Sequence, residues 1–216
     1  MTTRLPAATV RTQVDVPLRF ADGYATAARV FSFDGLVDDR EHLAFALGDR
    51  SAPCQGGRRR DAPLIRLHSE CLTGDVFGSQ RCDCGPQLRE AVELIADAGG
   101  YLLYLRQEGR GIGLYSKLEA YALQDTGVDT YDANVALGHA EDERSYVAAA
   151  QMLVALGAAR VSLLSNNPDK ARQLRSCGVT VVRQVQTGVH VSAANVRYLE
   201  AKARRGGHTL DLPLPA

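Results

Sequence analysis

The sequence carries no excess of either charge and no long apolar run. Lysine and arginine together number 25, as do aspartate and glutamate, so the formal net charge is zero. Proteins that bind nucleic acids or membrane surfaces in general present a basic surface, so this balance argues against both partners while leaving room for a local basic pocket. No apolar stretch approaches the about 20 residues that a membrane-spanning helix needs, and residues 1–14 lack the apolar core of a secretory leader. We therefore expect a cytoplasmic protein.

The sequence also lacks the composition of a disulfide framework. It has five cysteines, an odd number, and thiols stay reduced in the cytoplasm. We interpret Cys54 and Cys177 as small buried hydrophobic residues. The other three, Cys71, Cys82 and Cys84, follow the spacing C-x10-C-x-C. This spacing differs from the paired C-x2-C of common structural zinc sites.

Three clustered cysteines favour a metal site with an open position. A structural zinc site usually has four protein ligands, whereas a catalytic one has three and binds a water whose pKa falls to about 7. One alternative stays open, because His68, three residues before Cys71, could close the site as a fourth ligand. His68 and Glu70 also form an H-x-E pattern that suggests a zinc nucleobase deaminase, although the P-C-x-x-C pattern of that class is missing.

The order of the predicted elements indicates an α/β fold. Two stretches with β-strand character flank Ala-Asp-Gly at residues 21–23, and two further strands follow, so the first third is rich in strands. From residue 85 onward, helices alternate with buried strands. We predict a single domain over residues 13–207 with three layers around a mixed β-sheet, and flexible ends at residues 1–12 and 208–216.

A glycine-rich stretch, RQEGRGIGL at residues 106–114, follows a predicted strand and precedes a helix. Its glycines would let the backbone approach a ligand, and Arg106 and Arg110 offer forked donors suited to phosphate. The stretch is neither a P-loop nor a dinucleotide-binding fingerprint. It fits a phosphate site and an ordinary tight connection about equally well.

Three charged residues open a helix that we predict from about Asp142 to Leu156. Acidic residues such as Asp142 and Glu143 usually complement the helix dipole at this position. A cation in the first turn is unfavourable unless an anion lies beside it. Arg144 therefore hints at a phosphate or carboxylate partner.

The stretch SNNPDK, residues 165–170, lies where a strand ends and a helix begins, with Asn167 as the predicted N-cap. This is a usual position for ligand contacts in α/β sheets. Ser165 and Lys170 could hold polar atoms of a nucleotide, but a capped turn with a solvated lysine fits as well. Tyr121 lies one helical period from two leucines, so periodicity alone favours a core aromatic.

Taken in order, the motifs RLHSECLTGDVFGSQRCDCG, RQEGRGIGL, AYALQD, DANVALG, DERSY and LLSNNPDK resemble those of GTP cyclohydrolase II, the family that opens bacterial riboflavin synthesis. The family converts GTP to formate, pyrophosphate and 2,5-diamino-6-ribosylamino-4(3H)-pyrimidinone 5′-phosphate. The resemblance implies zinc on the three cysteines, with a water that attacks C8 of guanine. It also implies Mg²⁺ with the triphosphate, and a homodimer.

The resemblance further implies roles for individual residues. Arg144 matches a proposed nucleophile at the α-phosphorus, Asp142 a proton acceptor, and Tyr121 a tyrosine near the imidazole ring, which weakens the core-aromatic interpretation. The implied GTP contacts are Arg66, Leu67, His68, Ser69, Glu70, Gln87, Glu108, Gly109, Arg110, Thr130, Ser165 and Lys170. An arginine nucleophile is chemically uncomfortable because a guanidinium has no free lone pair, so a phosphate clamp is the alternative role for Arg144.

Some segments depart from the family pattern. The first sixty residues fit only loosely, and RQVQTGVHVSAAN replaces a shorter segment of different sequence. A specialised-pathway relative that stops at the formamidopyrimidine is therefore an alternative. A zinc deaminase and a non-catalytic nucleotide-binding module are two others.

Overall fold

The structure is a computed structural model that describes residues 5–51 and 62–205. Cys54 and the predicted flexible tail, residues 208–216, lie outside the described residues. Cys177 is only partly buried, at the edge of the hydrophobic core.

Within these two ranges the chain forms seven strands of a single mixed sheet. The strands are β1 (Thr9–Arg19), β2 (Ala25–Asp34), β3 (Leu43–Leu47), β4 (Leu64–Ser69), β5 (Gly100–Leu105), β6 (Arg160–Leu164) and β7 (Thr180–Val185). Their order across the sheet is β1-β2-β3-β5-β4-β6-β7. The first four in this order pair antiparallel, and β5, β4, β6 and β7 pair parallel. The predicted α/β fold with a strand-rich first third and a mixed sheet is confirmed.

Helices occupy both faces of the sheet. Those of the described chain are α1 (Leu72–Asp75), α2 (Cys84–Ala98), α3 (Leu114–Asp125), α4 (Thr130–Ala136), α5 (Val147–Ala155), α6 (Pro168–Ser176) and α7 (Val196–Arg205). None of them is long and apolar enough to cross a membrane. Helix α6 begins as predicted, because the Asn167 side chain accepts a hydrogen bond from the Asp169 N–H at 2.9 Å.

Two hydrophobic clusters separate the three layers. Because side chains alternate along a strand, Ile65 of β4 belongs to one cluster and Leu64 to the other. The larger cluster packs α5 and α6 against one face of the sheet, with residues such as Met152 fully buried. The smaller one packs α2 against the opposite face through Ala91, Val92 and Ile95. The sheet is therefore covered on both faces in its parallel half, as parallel strands require.

The direction of the chain reverses at β4, and this places the site. Strand β4 is followed through α2 by β5 on one side, and β5 is followed through α5 by β6 on the other side. In open α/β sheets the crevice outside the carboxyl ends of the strands at such a switch point is where ligands bind. The carboxyl ends of β4, β5 and β6 all lie at this edge.

The predicted helix start at Asp142 is wrong, because α5 begins only at Val147. Residues before it form other contacts: the Glu143 N–H donates to the Arg110 carbonyl at 2.9 Å, and the Tyr146 N–H to Gln173 Oε1 at 3.0 Å. The argument from the helix dipole therefore does not apply to Arg144. At the amino end, β1 begins at Thr9, so part of the segment expected to be flexible is paired with β2.

The central strands should dominate stability. Leu103 of β5 is fully buried, so Leu103→Ala should lower the free energy of unfolding by about 2–5 kcal/mol through lost burial and a cavity. Leu118→Ala is the control, because this leucine is 46% exposed and its loss should cost about 0.5 kcal/mol or less. Urea titration followed by circular dichroism measures both. Equal midpoints for the two variants would contradict the assignment of the core.

Candidate active site

The candidate site lies at the carboxyl ends of the three parallel strands. Ser69 ends β4, a 3-10 turn at Glu108–Gly111 follows β5, and Ser165 follows β6. A cleft with about 730 Å³ of empty space opens there and is lined by the three cysteines and by residues that follow β4 and β5. The sheet thus brings together motifs that are about a hundred residues apart in the sequence.

The three cysteines converge at one end of this cleft. Their Sγ atoms all lie within 4.8 Å of one another, and those of Cys71 and Cys82 are 3.7 Å apart. Gly74 makes this packing possible, because a Cβ atom there would lie 2.7 Å from Cys82 Sγ and 3.0 Å from Cys71 Sγ. Three convergent sulfur donors suit a thiophilic divalent metal.

His68 is occupied elsewhere and is not part of the cysteine group. Its Nε2 lies 3.1 and 3.2 Å from the two oxygens of Asp75, a carboxylate that also accepts from the Cys71 N–H at 3.0 Å and the Tyr104 hydroxyl at 2.8 Å. Burial lowers the pKa of His68 against the opposing effect of Asp75. The geometry does not support the alternative in which His68 closes the metal site. Asp75 instead orders residues 71–75, which we call the metal loop, by accepting from the Cys71 N–H.

Lys117 is a site residue that sequence reasoning missed. Its Nζ donates to Cys71 Sγ at 3.2 Å, to Thr73 Oγ1 at 2.9 Å and to Glu108 Oε1 at 2.8 Å. Hydrogen bonds from the Cys82 and Cys84 thiols, together with the Lys117 charge, lower the pKa of Cys71 far below its usual range. The same coupling raises the pKa of Cys82 to about 11. The thiolate is the form of cysteine that binds a metal, so the Lys117 ammonium beside Cys71 Sγ favours metal binding at this group.

Arg110 offers unused donors to the cleft. It has positive backbone dihedrals, φ 64° and ψ 27°, a conformation that costs a non-glycine residue about 1–2 kcal/mol. Its guanidinium carbon lies 3.9 Å above the centre of the Tyr131 ring. Both terminal nitrogens are buried without a hydrogen-bond partner within the described part of the chain. A strained, buried and unsatisfied guanidinium indicates an anion site.

Arg106 differs from Arg110, although both belong to the glycine-rich stretch. Its Nε donates to Glu70 Oε2 at 2.9 Å, its side chain is half exposed, and it does not line the cleft. Glu108 is buried, and its carboxylate also accepts from the Leu72 N–H at 2.7 Å and the Gly109 N–H at 2.9 Å. The structure thus separates an arginine that lines the cleft, with donors left free by the described residues, from one that lies outside it and pairs with Glu70.

Arg144 also lines the cleft and forms an ion pair with Asp142. Its Nε is 2.8 Å from Asp142 Oδ1 and its Nη2 is 2.5 Å from Oδ2, a bidentate pair. Burial opposes the charge on Arg144, but nearby Tyr146 and Asp142 raise its pKa above the usual arginine value. Burial likewise opposes the charge on Asp142, and hydrogen bonds from Arg144 keep its pKa below normal. Both groups stay ionised.

A second, smaller cavity adjoins the cleft and shares Ser69 and Arg144 with it. Most of the remaining predicted GTP contacts line it, namely Arg66, Leu67, His68, Gln87, Ser165 and Lys170. Arg66 Nη2 donates to Gln87 Oε1 and Lys170 Nζ to the Leu67 carbonyl, both at 2.7 Å. The predicted contacts therefore divide between two joined spaces.

Tyr121 and Thr130 line the main cleft together with Glu70, Glu108 and Gly109. Tyr121 does not belong to the hydrophobic clusters of the described chain. The Arg81 guanidinium carbon lies 4.5 Å from the centre of its ring. The interpretation of Tyr121 as a core aromatic is therefore not supported.

Together these features define a class of protein: an α/β enzyme with a three-cysteine group that could hold a metal, beside a cleft that could hold an anion. The sequence profile of the GTP cyclohydrolase II family matches residues 11–186. The chain is 46% identical over 204 residues to the GTP cyclohydrolase-2 of Psychromonas ingrahamii, covering 94% of this chain and 98% of that protein. It is 50% identical over 185 residues to the GTP cyclohydrolase-2 of Vibrio cholerae, covering 86% and 90%.

A longer relative matches in part. The riboflavin biosynthesis protein RibBA of Mycobacteroides abscessus is 50% identical over 184 residues, which is 84% of this chain and 43% of that protein. The extent of these matches shows that the chain belongs to the GTP cyclohydrolase II family. It is a hydrolase.

The close packing at Gly74 predicts a specific loss of metal. Gly74→Ala places a methyl group against two of the three sulfur atoms, and we expect metal affinity to fall about 10- to 100-fold, as when groups around metal ligands are disturbed. Val76→Ala in the same loop is the control, since Val76 is 66% exposed. Competition with a chromophoric chelator measures the affinity. Equal affinities for Gly74→Ala and the control would exclude the three-cysteine site.

Proposed function

We propose that the protein is a zinc-dependent GTP cyclohydrolase II that converts GTP to formate, pyrophosphate and 2,5-diamino-6-ribosylamino-4(3H)-pyrimidinone 5′-phosphate. One observation carries the proposal: the three-cysteine group and the unsatisfied guanidinium of Arg110 line the same cleft. GTP is a substrate whose two reacting parts, the imidazole ring and the triphosphate, need these two kinds of group side by side.

Zinc fits the cysteine group because Cys71, Cys82 and Cys84 supply three soft donors without a fourth from His68. When bound, zinc would supply Lewis acidity and a water of lowered pKa for hydrolysis at C8 of guanine. The Lys117 ammonium balances part of the thiolate charge, and Tyr121 lines the same part of the cleft, where the imidazole ring would lie.

Arg110 would bind the triphosphate, with Mg²⁺ on the phosphate oxygens as is usual for nucleoside triphosphates. Thr130 and the backbone of Gly109 complete this side of the cleft. The smaller cavity, with Gln87, Ser165 and Lys170, would take the remaining polar groups of the nucleotide. Its buried cations favour an anionic or electron-rich partner.

For Arg144 the geometry favours the phosphate clamp over the nucleophile. The bidentate Asp142 carboxylate and the raised pKa keep the guanidinium protonated, and a protonated guanidinium has no lone pair with which to attack phosphorus. A fixed cation beside the α-phosphate would instead stabilise the charge that develops when pyrophosphate leaves. Asp142 then positions Arg144.

We further propose that the enzyme works in the cytoplasm, as a homodimer and in riboflavin synthesis. The names of the relatives support the pathway.

Product analysis tests the function and its alternatives together. Protein loaded with zinc and supplied with Mg²⁺ and GTP should release formate and pyrophosphate in equal amounts, with the pyrimidinone phosphate identified by mass spectrometry. Pyrophosphate without formate would indicate an enzyme that stops at the formamidopyrimidine. Ammonia would indicate a deaminase, and unchanged GTP a binding module. A Cys82→Ser variant is the control for zinc dependence.

The two arginines of the glycine-rich stretch give a matched pair. Arg110→Ala should raise the KM for GTP about 10- to 100-fold, because charged hydrogen bonds to phosphate are lost. Arg106→Ala should change it by about 3-fold or less, since Arg106 only pairs with Glu70 at a half-exposed position. Steady-state formate release measures both. Similar effects of the two substitutions would rule out the separate roles.

A further inference from the structure

The segment between β7 and α7 is fixed to the rest of the molecule by side-chain hydrogen bonds. We call residues 186–195 the strap. Its Thr187 exchanges two bonds with buried Asn166: the Thr187 N–H donates to Asn166 Oδ1 at 3.0 Å, and Asn166 Nδ2 donates to the Thr187 carbonyl at 2.9 Å. Because Asn166 follows Ser165 at the end of β6, the strap starts at the wall of the smaller cavity.

Glu90 of α2 holds the middle of the strap. Its Oε1 accepts from the Gly188 N–H at 2.8 Å, and its Oε2 lies 3.0 Å from His190 Nε2. Asn195 then closes the strap, donating from Nδ2 to the His190 carbonyl at 2.8 Å and accepting from the Ser192 N–H at 2.8 Å. These hydrogen bonds therefore fix the position at which α7 begins.

The position it enforces brings Tyr198 of α7 into the site. Tyr198 lines both the main cleft and the smaller cavity, together with Ser69, Cys84 and Arg144, and so lies where the two spaces meet. It also lines a third cavity between α7 and the α3–α4 connection.

We propose that Tyr198 is a substrate-positioning residue whose ring forms the wall between the two halves of the nucleotide site, and that the strap holds it there. The proposal rests on the proposed function, because it assigns the wall to GTP. It gives a role to one of the segments in which this sequence departs from the family pattern. The family profile ends at residue 186, before the strap and α7 are complete.

Substitutions of Tyr198 test the wall. Tyr198→Ala should weaken binding of the α,β-methylene analogue of GTP about 10-fold or more and raise the KM to a similar extent, since an aromatic face is lost. Tyr198→Phe keeps the ring and should stay within about 3-fold of the unchanged protein in the same assays. Calorimetry gives the dissociation constant, and zinc content is measured in each preparation to show that the metal site is intact.

Strap variants test whether the wall is held from outside the cleft. Glu90→Ala and His190→Ala should both weaken analogue binding, by about 3- to 10-fold, because α7 loses its anchor. Glu93→Ala is the matched control: Glu93 lies on the same helix, and within the described residues its carboxylate forms one salt bridge, with Arg89. It should leave the affinity unchanged.

The outcomes separate the inference from the function. Unchanged analogue affinity in Tyr198→Ala would overturn the inference, and so would a loss in Tyr198→Phe as large as that in Tyr198→Ala. Loss of affinity in Glu93→Ala equal to that in Glu90→Ala would remove the role of the strap. Because analogue binding is measured without turnover, a failure of the unchanged protein to release formate would count against the proposed function alone.

Discussion

The buried carboxylate of Glu108 joins three segments that must meet for the site to exist. It accepts hydrogen bonds from the Leu72 N–H of the metal loop, from the Gly109 N–H of the glycine-rich stretch and from Lys117 of α3. A buried carboxylate is stable only when such donors satisfy it. Removing any one of the three segments would leave the charge exposed to the apolar interior. The metal group and the anion-binding cleft therefore depend on each other through one side chain.

The three cations of the cleft, Lys117, Arg144 and Arg110, differ in how far the protein itself satisfies their hydrogen bonds. Lys117 has all its hydrogen bonds within the protein, to a thiolate, a hydroxyl and Glu108, so its charge serves the site itself. Arg144 can be shared between the protein and a ligand, since Asp142 binds only one edge of its guanidinium. Arg110 keeps both terminal nitrogens for an external partner. A protein with zero net charge can in this way still offer an uncompensated cation to a ligand, because neither terminal nitrogen of Arg110 has a hydrogen-bond partner in the described part of the chain.

Much of the fold could be predicted from the sequence, because strand and helix periods are local signals. The hairpin, the parallel strands and the cap at Asn167 follow from residue patterns of a few positions. The spacing of three clustered cysteines likewise indicated the group that could hold a metal. Lys117 gave no such signal: it is one polar residue in a helix, and only the packing of α3 against the metal loop brings it to Cys71. The sequence left open whether His68 is a fourth metal ligand. The structure argues against it, because His68 contacts Asp75, seven residues away.

The failed helix start at Asp142 shows how tertiary contacts can override local preference. The sequence from Asp142 onward has a helical pattern, yet α5 begins only at Val147, and in the segment before it the Glu143 N–H donates to the Arg110 carbonyl at 2.9 Å. The non-helical segment thus ties the backbone of one cleft arginine to the segment that carries the other.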